Sequence, residues 1–248
     1  YRPISVVVVN DGSKDGSGIL LRKKKKYFRK HGITLEILTY PGKKLYYGGS
    51  LRHAYLSFSS SFYYGILDID DTLTPDAVEH VVDLYLQNPK IAYIYTQYMV
   101  CDNNMNPIKP GFCCAPPKKE TILSMGLKQI HVFSHFKTFS RRIRNPYFIF
   151  PKRGKYAVDQ FMGLCLERRG YGMFTDKVCY NYRSNVENSI SANFGGQRRE
   201  FWRKLVQNFA RQKKRTFRIK KYRPKKVKRS KKVKRSKKVK RSKKDDPA

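Results

Sequence analysis

Acidic residues, cysteine and tryptophan are all scarce in this chain. Only 18 of its 248 residues are Asp or Glu against 54 Lys or Arg, so the formal net charge is +36 and anions are the partners to expect. The five cysteines (Cys101, Cys113, Cys114, Cys165 and Cys179) are odd in number and contain no Cys-x-x-Cys spacing. Neither a disulfide framework nor a zinc knuckle is indicated, and a reducing, cytoplasmic compartment fits this usage. No apolar run approaches the roughly 18 residues that cross a bilayer, and no secretory leader pattern opens the sequence. The first residue is Tyr1 rather than methionine, as in a fragment. What is present suffices for a packed core, with 40% hydrophobic residues and 14% aromatics.

The charge is unevenly spread. Residues 1–210 hold 32 Lys or Arg and 16 Asp or Glu, whereas residues 211–248 hold 22 and 2. The chain therefore divides into a folded part, 1–210, and a lysine-rich tail, 211–248. The tail repeats KKVKRS at Lys225–Ser230, Lys231–Ser236 and Lys237–Ser242. A period of six matches neither helix nor strand, and one valine per repeat cannot build a core, so disorder is expected. Such a segment binds polyanions by counterion release. Nucleic acid, an anionic membrane surface and an acidic polysaccharide are all eligible, and the tail could hold the protein peripherally at a membrane.

Along the folded part, Ile4–Val9 is a β-branched run of the kind found in covered parallel strands. The turn signal Asn10–Ser17 follows, then a helix from Ser17 to His31 whose Lys23–Lys26 run reads as a solvated surface, then a strand at Ile33–Leu38. A glycine-bearing loop over Pro41–Ser50 leads to a helix at Leu51–Phe62. A third strand, Gly65–Leu67, ends in Asp68, Asp70 and Asp71, and Thr74-Pro75 opens a helix carrying Val78, Val81, Val82 and Tyr85. Residues 1–86 thus read β-α-β-α-β-α, which predicts a doubly wound, mostly parallel α/β sheet with Asp11, Gly48, Gly49 and Asp68–Asp71 converging at one end. Both an Asp-rich turn and a hard-oxygen site for Mg²⁺ or Mn²⁺ fit the three acids, a bound diphosphate supplying further ligands in the second case.

Ile91–Val100 is a further strand, residues 101–150 look loop-rich with a short helix near Glu120–Gly126, and Asp159 falls in the first turn of a helix that Gly170 ends. A capping role alone would account for an acid there. Val178–Arg183 reads as a short edge strand, and Gln197–Arg211 as a basic amphipathic helix with the single tryptophan, Trp202.

Four stretches in order, NDGSKDGS within Val6–Ser17, GGSLRHA at Gly48–Ala54, LDIDDTLTPDAV at Leu67–Val78 and YAVDQ at Tyr156–Gln160, resemble the motifs of family 2 glycosyltransferases of the GT-A fold. Within that family the chain is similar to the bacterial chondroitin and hyaluronan polymerases. Their HFR-x-F segment, AVD stretch, ICYN strand and N-x-S turn have counterparts at His135–Phe139, Ala157–Asp159, Val178–Asn181 and Asn188–Ser191. The likeness covers about Ile4 to Ser191.

The resemblance implies a hexosyltransferase that moves a sugar from a UDP-sugar to a glycan hydroxyl with inversion, assisted by Mn²⁺ or Mg²⁺. It makes 1–100 the nucleotide-sugar-binding half and 101–210 the acceptor-side half. Carried over by position, Asp11 would accept from uracil or ribose, Arg52 would lie near the nucleotide, and Asp68 would face the ribose. Asp70 would bind the metal with His135 completing its coordination, Asp71 would support them, and Asp159 would be the general base. The chain departs from the family pattern in three ways. The NDGS strand is already the first element, His53 stands where asparagine commonly follows the arginine, and Phe161 stands where the polymerases have a second acid. A degenerate GT-A domain that binds nucleotide sugars or polyanions is the alternative reading.

Overall fold

The computed structural model describes residues 3–40, 45–57, 61–143, 150, 157–184, 195–212 and 219–222. The KKVKRS repeats and the Asn188–Ser191 turn lie outside them. Strand β1 (Ile4–Asn10) pairs in parallel with β2 (Ile33–Thr39), from Ile4 opposite Ile33 to Asn10 opposite Thr39. Helix α1 (Ser17–Lys30) makes the crossover that a parallel pair requires. It leans on the sheet through half-buried Leu21 and Phe28, and Lys23–Lys26 are exposed, as the sequence reading expects.

Helix α2 (Tyr46–Ser57) begins five residues before the expected Leu51 and takes in Gly48 and Gly49, both buried, where the sequence pattern predicts a loop. Two glycines in a helix cost roughly 1 kcal/mol each in propensity, so local reading argues against a helix there. The compensation comes from far away in sequence. Asp11 accepts from the amides of Leu45 at 2.7 Å and Tyr46 at 3.0 Å, satisfying donors at the helix start that have no intrahelical partner.

The remaining strands form one mixed, curled sheet. Its order is β3 (Tyr63–Ile66), β7 (Lys137–Ser140), β5 (Ile91–Cys101), β8 (Tyr171–Arg183) and β4 (Thr72–Leu73), with β6 (Pro107–Pro110) on β5 and β9 (Ile219–Lys221) on β8. The long ladders, β1 with β2 and β5 with β8, are parallel, as the α/β reading predicts. The third strand does not continue the first two, however: β3 lies antiparallel to β7, and β1–β2 stand as their own two-stranded sheet. The segment KTFS is too short and too polar to announce β7, yet all four of its residues are buried.

Nor is Val178–Arg183 an edge strand. It is the second half of β8, which runs between β5 and β4. The ladder shifts register near Thr96–Tyr98, opposite the stretch that carries Asp176 and Lys177, so the strand pattern looks broken there although the strand continues. Strand β9 lies beyond position 210, so the sheet extends into the segment read as tail.

Helix α3 (Ala77–Gln87) buries Ala77, Val81, Val82, Leu84 and Tyr85 and starts after Asp76 rather than at Thr74, whose hydroxyl is spent on the Asp76 carboxylate at 3.1 Å. Helix α4 (Ile122–Leu127) is held at its start by a capping box between Thr121 and Ser124. Helix α5 (Val158–Glu167) carries Asp159 in its first turn, and helix α6 (Gly195–Arg211) covers the core with Trp202, Val206 and Phe209.

Glu167, at the far end of α5, is fully buried, and its two carboxylate oxygens accept from the Ile122 and Leu123 amides at 2.5 and 3.1 Å. Burial pushes its pKa up to about 7 from 4.5, outweighing the two amides that favour the charged form. A carboxyl with a raised folded pKa contributes stability that is complete below its unfolded pKa and is lost as pH rises through the folded one. We therefore expect the melting temperature to fall from about pH 5 to about pH 8 by a component worth up to about 3 kcal/mol, which Glu167→Gln removes. Identical pH slopes for the two proteins in thermal unfolding would contradict this.

Candidate active site

The loop after β3 varies in exposure along its length. Asp68 is half-buried, Ile69 is 88% exposed, Asp70 is exposed and Asp71 is buried. Asp71 is committed to structure: its Oδ2 accepts from the Tyr180 hydroxyl at 2.6 Å and its Oδ1 from the Arg183 amide at 2.7 Å. Burial pushes its pKa up to about 6 despite those donors, with Asp70 and Asp68 adding to the rise. The Tyr180 hydroxyl also accepts from the Asp68 amide at 3.1 Å, so one phenol on β8 clamps both ends of the acidic turn. Asp68 Oδ1 accepts from the Tyr47 hydroxyl at 2.7 Å. Tyr47 stands in the first turn of α2, next to the residues whose amides Asp11 holds. The start of α2 therefore joins Asp11 to the acidic loop, and the convergence expected of Asp11, the glycine pair and Asp68–Asp71 is present.

A second acidic centre lies beside the first. Ala157 takes a left-handed conformation (φ 51°), and α5 starts immediately after it with Asp159 half-buried. Asp159 Oδ1 lies 3.0 Å from the Nζ of Lys137, a β7 side chain that is 1% exposed. Burial pulls the Lys137 ammonium down, but Asp159 and Asp68 more than offset this, and its pKa moves up on balance. Asp68 is driven the other way from a normal acid: burial raises it, Lys137 opposes the rise, and Asp159 adds to it. His135 is buried, stacked on Tyr180 (4.5 Å between centroids, 14°) and on Tyr182 (5.3 Å, 16°), with its Nδ1 3.4 Å from Lys137 Nζ.

Among the described residues, no three His, Cys, Asp or Glu side chains converge as a ligand set, so Asp68, Asp70 and His135 do not form one by themselves. The carboxylates of Asp70 and Asp68 are hard donors of the type Mg²⁺ and Mn²⁺ take, and such ions commonly complete their shell with substrate phosphate and water. The Nδ1 edge of His135 already faces an ammonium. On donor chemistry the acidic loop fits a divalent ion, and the histidine edge toward Lys137 does not.

Residues 1–148 match the model described as glycosyl transferase family 2. The chain belongs to that family. It is 27% identical over 214 residues to a chondroitin synthase of Pasteurella multocida (strain Pm70), a match covering 85% of this chain and 20% of that protein. It is also 27% identical over 213 residues to a hyaluronan synthase of Pasteurella multocida, covering 84% and 20%, and 27% identical over 220 residues to a chondroitin synthase of Escherichia coli, covering 89% and 30%. The chain thus spans less than a third of the length of these curated relatives. The solved structure of S. aureus TarS 1–349 superposes with a TM-score of 0.51 at 14% identity over 84% of this chain and 63% of that one, a likeness of fold.

The segment matched to the family 2 model holds Asp11, Arg52, Asp68–Asp71 and His135, while Asp159 lies beyond it. Arg52 is half-buried on α2. Two of the three departures from the family pattern have local partners: His53 Nδ1 meets the Tyr40 hydroxyl at 2.8 Å, and Phe161 packs edge-on against Phe209 at 5.8 Å. Three residues of the site were missed by sequence reading: Tyr47, Lys137 and Tyr180. Tyr47 was hidden in a stretch read as loop. Lys137 and Tyr180 stood inside quoted motifs, but no local pattern singles out a lysine that will be buried.

Proposed function

We propose that this family 2 domain transfers a sugar from a UDP-sugar to a hydroxyl of a glycan acceptor, with inversion at the anomeric carbon and with the help of Mn²⁺ or Mg²⁺. The observation that carries the reading is the pair of separate acidic centres, the Asp68–Asp71 loop and Asp159, brought to one place by β3 and α5. Inverting transfer needs two such centres. One must receive a proton and the other must manage a departing diphosphate.

In this reading Asp11 and Asp68 bind the nucleoside, Arg52 lies by the nucleotide, and Asp70 would hold the cation; the family pattern adds His135, which could serve only by the ring edge turned away from Lys137. The cation would neutralise charge on the diphosphate. Asp71 keeps the loop in shape through Tyr180. Asp159 takes the proton of the acceptor hydroxyl as that oxygen bonds to the anomeric carbon; the bond from that carbon to the diphosphate oxygen breaks, and its electron pair leaves with UDP. The names of the relatives, chondroitin synthase and hyaluronan synthase, favour a polysaccharide as acceptor. The lysine-rich tail is read as a polyanion-binding extension on its charge alone.

The test is thermal unfolding across a panel of UDP-sugars with Mn²⁺ or with EDTA. At a hundredfold excess over Kd, a ligand that binds only the folded state adds about 2.7 kcal/mol. We expect at least one UDP-sugar to raise the melting temperature with Mn²⁺ and not with EDTA. A panel in which none does would defeat the proposal.

A further inference from the structure

One charged side chain in the site has no role in the scheme above. Lys137 is among the most deeply buried large side chains of the protein, although the segment KTFS that carries it needs no cation to form a strand. An ammonium taken out of water is costly unless opposite charge and hydrogen bonding compensate it. Here the compensation is Asp159 Oδ1 at 3.0 Å, with His135 Nδ1 at 3.4 Å and the negative charge of Asp68 within range. The two carboxylates repel each other, and Asp159 adds to the rise that burial imposes on Asp68. Lys137 is a cation that offsets both.

We propose that Lys137 is a positioning residue for the transfer: its buried ammonium, held at Asp159 Oδ1, fixes the carboxylate that takes the acceptor's proton and keeps it from turning away from the negative charge of Asp68. This rests on the reading of Asp159 as the base. The anchoring is well suited to the task, because β7 lies between β3, which delivers the acidic loop, and β5 in the middle of the sheet. Asp159 itself sits in the first turn of a helix entered through a left-handed residue, and Lys137 holds its carboxylate from a different element, β7. A strand-borne cation thus fixes one carboxylate oxygen of a helix-borne acid. The proton still goes to Asp159, and Lys137 remains an ammonium throughout.

Four variants of the full chain decide the matter: Lys137→Met, Lys137→Arg, Asp159→Asn and the double variant Lys137→Met/Asp159→Asn. Misplacing a catalytic group by about an ångström costs about 10²-fold in rate. We expect Lys137→Met to lower kcat by about that factor, with KM for the donor and UDP affinity changed by no more than about threefold. Lys137→Arg, which restores the cation found in the HFR-x-F pattern, should recover most of the loss. In the Asp159→Asn background, Lys137→Met should cost little more, because the group it positions is already gone.

If Asp159→Asn impairs transfer and Lys137→Met does not, or if Met and Arg at 137 are equally impaired while folded by thermal unfolding, the Lys137 proposal is overturned and the base assignment stands. If Asp159→Asn transfers at the wild-type rate, the base assignment fails first. Lys137→Gln, which keeps a donor without the charge, is a second neutral variant should Met prevent folding, and it is read in the same way.

Discussion

Asp159→Asn should lower sugar transfer by about 10²- to 10⁴-fold, the range for loss of a positioned general base, and leave Mn²⁺-dependent UDP binding in place. The substitution keeps the size of the side chain and its place in the first turn of α5. It leaves the buried Lys137 ammonium without its paired charge, so thermal unfolding is used to show that the variant is folded before its rate is read. What is lost is the negative charge opposite Lys137 and the ability to accept a proton. The loss should fall on kcat, because a group that acts only as the acceptor hydroxyl attacks contributes little to donor binding. Steady-state transfer with a saturating donor, alongside calorimetry of UDP, measures both halves. Transfer at the normal rate would reduce Asp159 to a helix-capping acid. An equal loss of UDP affinity would move it to the donor side.

Asp70→Ala should abolish the Mn²⁺-dependent part of UDP binding without harming the fold. Asp70 is exposed between the half-buried Asp68 and the buried Asp71, so its removal leaves the hydrogen bonds of the loop to Tyr47, Tyr180 and Arg183 intact. Surface substitutions away from such features usually change stability by less than about 0.5 kcal/mol. Calorimetric titration of UDP with and without Mn²⁺ reads the effect directly, and unchanged affinity in the presence of the ion would dismiss Asp70 as its ligand. Asp71 is a poor substitute in this experiment. Its two donors tie the loop to β8, and its loss would disturb the site by unfolding it locally.

The departures between sequence and structure share a cause. Gly48 and Gly49 made the chain before Leu51 look like loop because propensity is local, while the bonds from Asp11 that start α2 come from 34 and 35 residues upstream. Val178–Arg183 looked like an isolated strand because Asp176 and Lys177 interrupt the pattern, yet the bulge opposite them lets β8 run on through the sheet. In each case a polar or flexible residue that weakens the local signal is matched by a partner that no window of sequence contains.

The sequence by itself determined the alternation of β1, α1, β2, α3, β5 and α5, because the period of apolar residues and the turn chemistry between them are properties of neighbouring residues. It also determined which acids stand at element ends, and the order of the motifs that the family match supports. The tertiary structure alone decided that β3 pairs with β7, that Tyr180 clamps the acidic loop, and that Lys137 is buried against Asp159. The ion pair joins residues 22 apart in sequence, and the clamp joins residues 109 and 112 apart. The free energy of such contacts depends on how much water the surrounding fold excludes, and that is set only when β3, β7 and α5 have come together.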